Sequence, residues 1–147
     1  MSDRSINEIQ DEIIDEFAIL GDDKESTIFY IMELGNKLEP LDEKHKIDSN
    51  LIKGCQSKVW LEAELSNNHL NLKADSNTDI TRGLISLLIR VLSGQSLEDI
   101  ISSDLYFIDK IGMHQVIGSQ RSNGLASMIK QIKLYAIAYR TKLQSQS

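Results

Sequence analysis

The sequence predicts an α+β fold: a helical hairpin, a small antiparallel sheet, and further helices packed on one face of that sheet. Three observations lead there. Apolar residues recur at helical spacing from Ile6 to about Leu38. From Lys58 the period changes to two and holds across a turn as far as Ala74. Helical spacing then returns after Asn77 and dominates the rest of the chain. A chain of 147 residues is long enough for one domain with a real core and too short for two ordinary ones, so residues 1–147 are expected to form a single unit.

Each element has a local cause. Ser5-Ile6-Asn7-Glu8 reads as a capping box, and Ile6, Ile9, Ile13, Phe17 and Leu20 follow on one helical face, with Gly21 at the end. Asp22-Asp23-Lys24-Glu25 opens a second helix whose Ile28, Ile31, Met32 and Leu34 or Gly35 face inward, fading near Leu38. Pro40 begins an irregular polar segment running to about Lys53, long enough to be functional rather than a mere connection. Val59, Leu61, Ala63 and Leu65 then alternate with Trp60, Glu62 and Glu64. Ser66-Asn67-Asn68 suits a tight turn, because asparagine tolerates positive φ, and Leu70, Leu72 and Ala74 alternate on the return strand. Asn77 or Thr78 caps a third helix ending at Leu92, apolar around much of its circumference and therefore central and buried, with Gly94 as its stop. Ser96-Leu97-Glu98-Asp99 caps a short helix, and a less regular stretch follows from Ser102 to Ser119, with Phe107, Ile108, Ile111 and Met113 packing inside it. Ser122 or Asn123 starts a long last helix through Tyr139, and Gln144 to Ser147 is expected to fray.

Composition excludes several function classes. Hydrophobic residues at 41% and charged residues at 26% describe a globular chain, and a net charge of -6 disfavours general binding to nucleic acid or anionic membrane. No apolar stretch approaches the roughly 20 residues of a membrane span. Met1 to Gln10 has no apolar core of the kind a signal peptide carries, so the cytoplasm is the expected address. One cysteine forms no intramolecular disulfide and supplies no zinc or iron–sulfur site alone. His45, His69 and His114 are far apart, with no paired metal-ligand spacing, and read as exposed or loosely structural; no metal and no bound cofactor are expected. Neither G-x-x-x-x-G-K nor G-x-G-x-x-G occurs. Arg121-Ser122-Asn123-Gly124 at a helix start reads more cheaply as a cap than as an anion site.

What remains is Lys53-Gly54-Cys55-Gln56-Ser57-Lys58-Val59-Trp60, which holds the only cysteine and the only tryptophan. Gly54 frees the backbone to present the thiol at a loop tip, and Lys53 and Lys58 favour the thiolate if their side chains approach it. The alternative is a small buried hydrophobe. A Cys–His hydrolase pairing lacks any local signature, and Trp60 reads as a packing residue of the hairpin. From spacing alone the inference stops at a reactive, nucleophilic thiol.

Asn50-Leu51-Ile52-Lys53-Gly54-Cys55-Gln56-Ser57-Lys58-Val59-Trp60 closely resembles the N-x-(V/I)-x-G-C-Q-S-x-V-W motif of the SufE family of cysteine-desulfurase sulfur acceptors. The likeness extends to Tyr30-Ile31-Met32-Glu33-Leu34-Gly35, Ala74-Asp75-Ser76, Gly83-Leu84-Ile85, Ser93-Gly94 and Arg121-Ser122-Asn123-Gly124-Leu125, covering Asp22 to Tyr139. The resemblance implies a SufE/NifU-like fold and a sulfur relay rather than an enzyme. In it, the position matching Cys55 takes a persulfide sulfur from a pyridoxal-phosphate cysteine desulfurase (SufS- or CsdA-like), stimulates that enzyme, and passes the sulfur to an iron–sulfur scaffold (SufBCD-like). Pyridoxal phosphate belongs to the partner. The family further implies a thiol that rests in a sheltered cavity and swings out on docking, a motion that a long Pro40–Lys53 loop would permit. Gly54, Gln56, Asp75 and Arg121 then count as partner-binding positions. Two places depart from the family pattern: Asn77 stands where some members are acidic, and the His45–Lys46 stretch lacks the more usual arginine. An iron–sulfur scaffold would need three cysteines, and a plain interaction module would treat the thiol as inert.

Overall fold

The computed structural model describes residues 4–146; Met1–Asp3 of the N-terminal stretch and Ser147 lie outside them. The element order is α1 (Ile6–Ala18), α2 (Lys24–Asn36), β1 (Val59–Ser66), β2 (His69–Ser76), α3 (Asp79–Leu92), β3 (Gln95–Ser96), α4 (Leu97–Ser102), α5 (Phe107–Lys110) and α6 (Met113–Ser145). The three strands pair antiparallel in the order β1-β2-β3, an α+β architecture. Ser5 caps α1 by accepting from the Glu8 amide, and Asp23 caps α2 from Glu25. Asn67 and Asn68 both take positive φ, 51° and 63°, which turns the hairpin with two residues and sets Val59 opposite Ser76 and Trp60 opposite Asp75.

The inner face of the hairpin carries Val59, Leu61, Leu70, Leu72 and Ala74, all buried. On it lies α3, whose Leu84, Ile85, Leu87, Leu88, Val91 and Leu92 make it the centre of the core. Against α3 packs α2, through Thr27, Ile31 and Gly35, while Ile28 and Met32 sit only half-buried. The reason is backbone proximity. A Cβ on Gly83 would overlap the Ile31 carbonyl oxygen, and one on Gly35 would stand 2.7 Å from the Asp79 carbonyl oxygen. The glycines let two helices approach closer than any side chain allows.

Three expectations change. First, the Pro40–Lys53 segment is not a slack loop. It contains short 3-10 turns at Glu43–His45 and Asp48–Asn50, buries Leu41 and Ile52, and lies over the outer face of the sheet with the Lys46 ammonium 5.6 Å from the centre of the Trp60 ring. Second, a two-residue strand, β3, follows Gly94 where only a cap was expected. Third, α6 is two helical stretches joined across Gly118, so the long last helix begins directly after that break, a few residues before the expected Ser122 or Asn123. Gly118 stands at φ 83° and ψ 173°, outside helical geometry, and the helix beyond it continues to Ser145.

Gly83→Ala is expected to cost more than about 3 kcal/mol in urea unfolding, since the clash is with backbone and neither helix can yield without opening the core. Unchanged stability would show that the α2–α3 approach is not under constraint.

Candidate functional site

Cys55 sits on a short loop whose base is closed by backbone pairing. The Ile52 amide donates to the Val59 carbonyl at 2.8 Å, and Leu51 bridges to Trp60. The outgoing arm is fastened further. Lys58 donates its amide to Asn77 Oδ1 at 3.0 Å and accepts from the Asn77 amide at 3.2 Å, and Ser57 Oγ lies 3.0 Å from Thr78 Oγ1 and accepts from Thr81 Oγ1 at 3.2 Å. Asn77 thus serves as a clamp on the loop. Gly54 takes φ 92°, and a Cβ there would meet Ser127 Oγ at 2.5 Å. Only glycine turns the chain there so close to α6.

The thiol itself is half-buried, and its Sγ donates to the Gly124 carbonyl at 3.5 Å. A Cβ on Gly124 would stand 3.5 Å from that sulfur. Arg121 to Gly124 lie in the first turns of the helix that starts after the Gly118 break, and Gly124 is the point at which the helix backbone faces Cys55. A glycine in the middle of a helix costs about 1 kcal/mol relative to alanine, so Gly124 inside an apolar-periodic run was a readable sign of close approach. Beside the sulfur opens a cleft of about 390 Å³, lined by Cys55, Gln56, Thr81, Ile117 and the Gly118–Arg121 turn after the helix break.

Burial pushes the Cys55 thiol above its ordinary pKa, and no cation contributes to lowering it. Lys53 and Lys58 are exposed and neither charge acts on the sulfur, so the thiolate-favouring arrangement expected from their sequence positions does not form. Bonding to a carbonyl acts in the same direction, because only the protonated sulfur can donate.

The remaining expected residues separate. Gln56 and Arg121 are exposed and line the Cys55 cleft, and Gly54 is exposed on the loop. Asp75 is different, being only 1% exposed. Its Oδ1 accepts from Arg82 Nε at 2.9 Å and from the Ser76 amide at 2.8 Å, and its Oδ2 accepts from the Leu41 amide at 3.1 Å with Lys46 Nζ at 3.4 Å. That carboxylate is committed inside the protein and is not presented to a partner. Burial opposes its charge, but the Ser76 and Leu41 amides, Arg82 and Lys46 outweigh burial and hold its pKa below the usual carboxylate range. The histidines lie apart from Cys55: His45 faces Glu62 at 3.3 Å, His69 Nδ1 faces the Asn67 carbonyl at 2.7 Å, and His114 lies between Ser122 and Asp109. Among the described residues no group of three or more His, Cys, Asp or Glu side chains converges on a metal-sized point, and no helix is long and apolar enough to cross a membrane.

Known proteins resemble this arrangement in sequence and in fold. Residues 11–136 match the family model for SufE, the Fe-S metabolism associated domain. A SufE-like protein of Rhizobium etli is 39% identical over 128 residues, covering 84% of this chain and 86% of that one. Another from Rhizobium meliloti is 37% identical over 128 residues, covering 84% and 91%. The solution structure of a hypothetical protein from Thermus thermophilus superposes with a TM-score of 0.74 over 90% of this chain and 96% of that chain, at 16% identity, which shows a shared fold.

Two measurements check the electrostatics. Alkylation of Cys55 by iodoacetamide is expected to be slower in the folded protein than in urea, with its pH midpoint moved upward by folding; a midpoint moved downward would show that a cation reaches the sulfur after all. Asp75→Asn is expected to cost about 2 kcal/mol at neutral pH. Because the folded pKa of Asp75 is depressed, its charge-dependent stability is complete above the unfolded value of about 3.9 and is lost as pH falls through the folded value. The gap between wild type and variant in urea midpoint therefore narrows only in acid, and a gap constant down to pH 2–3 (roughly the acid end of the carboxylate range) would contradict the ionised pairing.

Proposed function

This chain belongs to the SufE family, whose role is sulfur transfer in iron–sulfur metabolism, and on that premise we propose that it carries sulfur as a persulfide on Cys55. The observation that carries the reading is the placement of the chain's only thiol: at the tip of a clamped loop, half-buried, with a cleft beside the sulfur large enough for a further atom.

The chemistry is thiol–disulfide exchange with a hydrosulfide in place of one partner. Cys55 loses its proton, and its sulfur attacks the terminal sulfur of a persulfide on the donor's cysteine. The Cys55 S–S bond forms as the donor's S–S bond breaks, and the donor cysteine leaves as a thiolate that takes up the proton. No net oxidation occurs. The donor is a cysteine desulfurase whose own pyridoxal phosphate releases the sulfur; clearing its cysteine frees it for the next turnover, which is how a carrier stimulates it without being an enzyme. The reverse exchange delivers the sulfur to an iron–sulfur cluster scaffold.

The geometry divides the labour. Burial and the Gly124 carbonyl keep the thiol neutral at rest, which lowers its reactivity toward stray oxidants, since the thiolate is the reacting form. Activation must then come with docking, when the sulfur leaves the carbonyl and meets the donor. Gly54, with its positive φ, is the residue about which such a displacement turns, and Gln56 and Arg121 stand at the rim where the donor arrives.

Incubation with a cysteine desulfurase and cysteine is expected to add about 32 Da (one sulfur atom) to Cys55 in mass spectrometry, and none to Cys55→Ser. The variant should melt as the wild type does, because the thiol makes one weak hydrogen bond. A wild-type protein that gains no adduct while the desulfurase turns over would overturn the relay.

A further inference from the structure

All 22 acidic residues of the chain lie at or before Asp109. Beyond it come Lys110, Arg121, Lys130, Lys133, Arg140 and Lys142 with no acid among them. The charge is thus strongly segregated on a chain of net charge -6. Two of these later cations are engaged: Arg140 pairs with Glu98 at 3.6 Å, and Lys133 donates to the Ser103 carbonyl at 2.6 Å. Around the Cys55 loop the situation is the reverse. Lys53 and Lys58 flank it, Arg121 lines its cleft, and Lys130 stands on α6 nearby; all four are exposed, and among the described residues none forms an ion pair.

Lys53 and Lys130 also border a second groove, of about 720 Å³, running between the Asp48–Asn50 turn and α6. Its walls include Leu51, Tyr135 and Leu134, the last 45% exposed although it is a large apolar side chain in a folded helix. Asp48 is the one acid among its lining residues. A groove that combines two cations with the apolar Leu51, Leu134 and Tyr135, its Lys53 two residues from the reactive sulfur, has the mixed composition of a protein interface. Cations left unpaired on an acidic protein fit an acidic counterpart, since complementary fields steer encounter and like charges suppress wrong partners.

We infer that the Lys53–Lys130 groove, with the exposed Leu134 in its lining, is a docking site for an acidic, partly apolar surface segment of the protein that donates sulfur to Cys55. This rests on the reading of Cys55 as a sulfur acceptor. It assigns recognition to Lys53, a variable position of the loop motif, and to α6 residues outside the motif, and it replaces the buried Asp75 with an accessible element of opposite sign.

The test compares wild type, Lys53→Glu/Lys130→Glu and, as a control, Lys24→Glu in the first turn of α2, each titrated against a purified desulfurase that loads the wild-type protein. The double variant is expected to raise the KM for this protein about tenfold with kcat little changed, and to flatten the weakening of KM that added salt causes in the wild type. Lys24→Glu should follow wild type in both respects. Sodium polysulfide, which needs no docking, should load Cys55 equally in all three, showing that the fold and the thiol are intact. Equal polysulfide loading with a wild-type KM and salt slope in the double variant would overturn the docking site while leaving the acceptor role standing. A wild-type chain that polysulfide loads but no desulfurase does would overturn the acceptor role, and the docking site with it.

Discussion

The buried Asp75 carboxylate is the contact on which the arrangement around Cys55 depends. It stands near the end of β2, opposite Trp60, and receives groups from three directions: the Leu41 amide and Lys46 from the segment over the sheet, Ser76 from its own strand, and Arg82 from the first turns of α3. Ionised and this well satisfied, it joins the segment that leads into the Cys55 loop to the helix that forms the floor of the core. Arg82 extends the network by donating to the Ser76 carbonyl at 2.9 Å, one residue before the Asn77 clamp on Lys58. A buried carboxylate is costly unless each lone pair has a donor, and here the donors are the elements that hold the loop.

The site resolves a conflict between two demands on one sulfur. A good nucleophile at neutral pH needs thiolate character, whereas a carrier needs to survive exposure to solvent between partners. The resting geometry favours survival. The sulfur faces a helix carbonyl across the gap that Gly124 leaves, and the nearest cations in sequence, Lys53 and Lys58, are exposed and do not act on it. On the proposed relay, activation is thereby left to docking, when a small displacement separates the thiol from the Gly124 carbonyl.

Much of the fold was legible because local signals agreed: the Ser5 and Asp23 caps, the Asn67-Asn68 turn, and the period-two run fix their elements without help from the rest of the chain. The misreadings share a cause. Pro40–Lys53 looks like a slack loop because its anchors, Leu41 and Lys46, meet a carboxylate far along the chain, at Asp75. The polar, glycine-containing stretch before Leu125 does open a helix, just after the break at Gly118, but the helical turns from Met113 that precede the break are hidden in the irregular pattern. Cys55 was visible from its loop motif, but Gly124, Ser127 and Asn77 are assembled only in three dimensions. Asp75 was expected at a partner-binding face and is buried instead, for one sequence cannot show whether an acid at a strand end faces a partner or the interior.

The clamps also limit how far the sulfur can travel. Cys55 is three residues beyond the paired Ile52, and an extended chain covers about 3.5 Å per residue, so that arm allows at most roughly 10 Å. The other arm is shorter, for Ser57 and Lys58 are held by Thr78, Thr81 and Asn77, leaving Gln56 alone between the thiol and a fixed point. A loop tethered in this way can lift its sulfur out of the cleft but cannot project it deep into another protein. On the proposed relay, the partner must therefore bring its own cysteine to the rim, and contact must spread over the surface beside the loop. That is where the unpaired cations Lys53, Arg121 and Lys130 and the exposed Leu134 are found. Restricted reach and an adhesive rim are two consequences of the same construction: a reactive atom held close to the body of the fold works only if the fold itself is part of what the partner recognises.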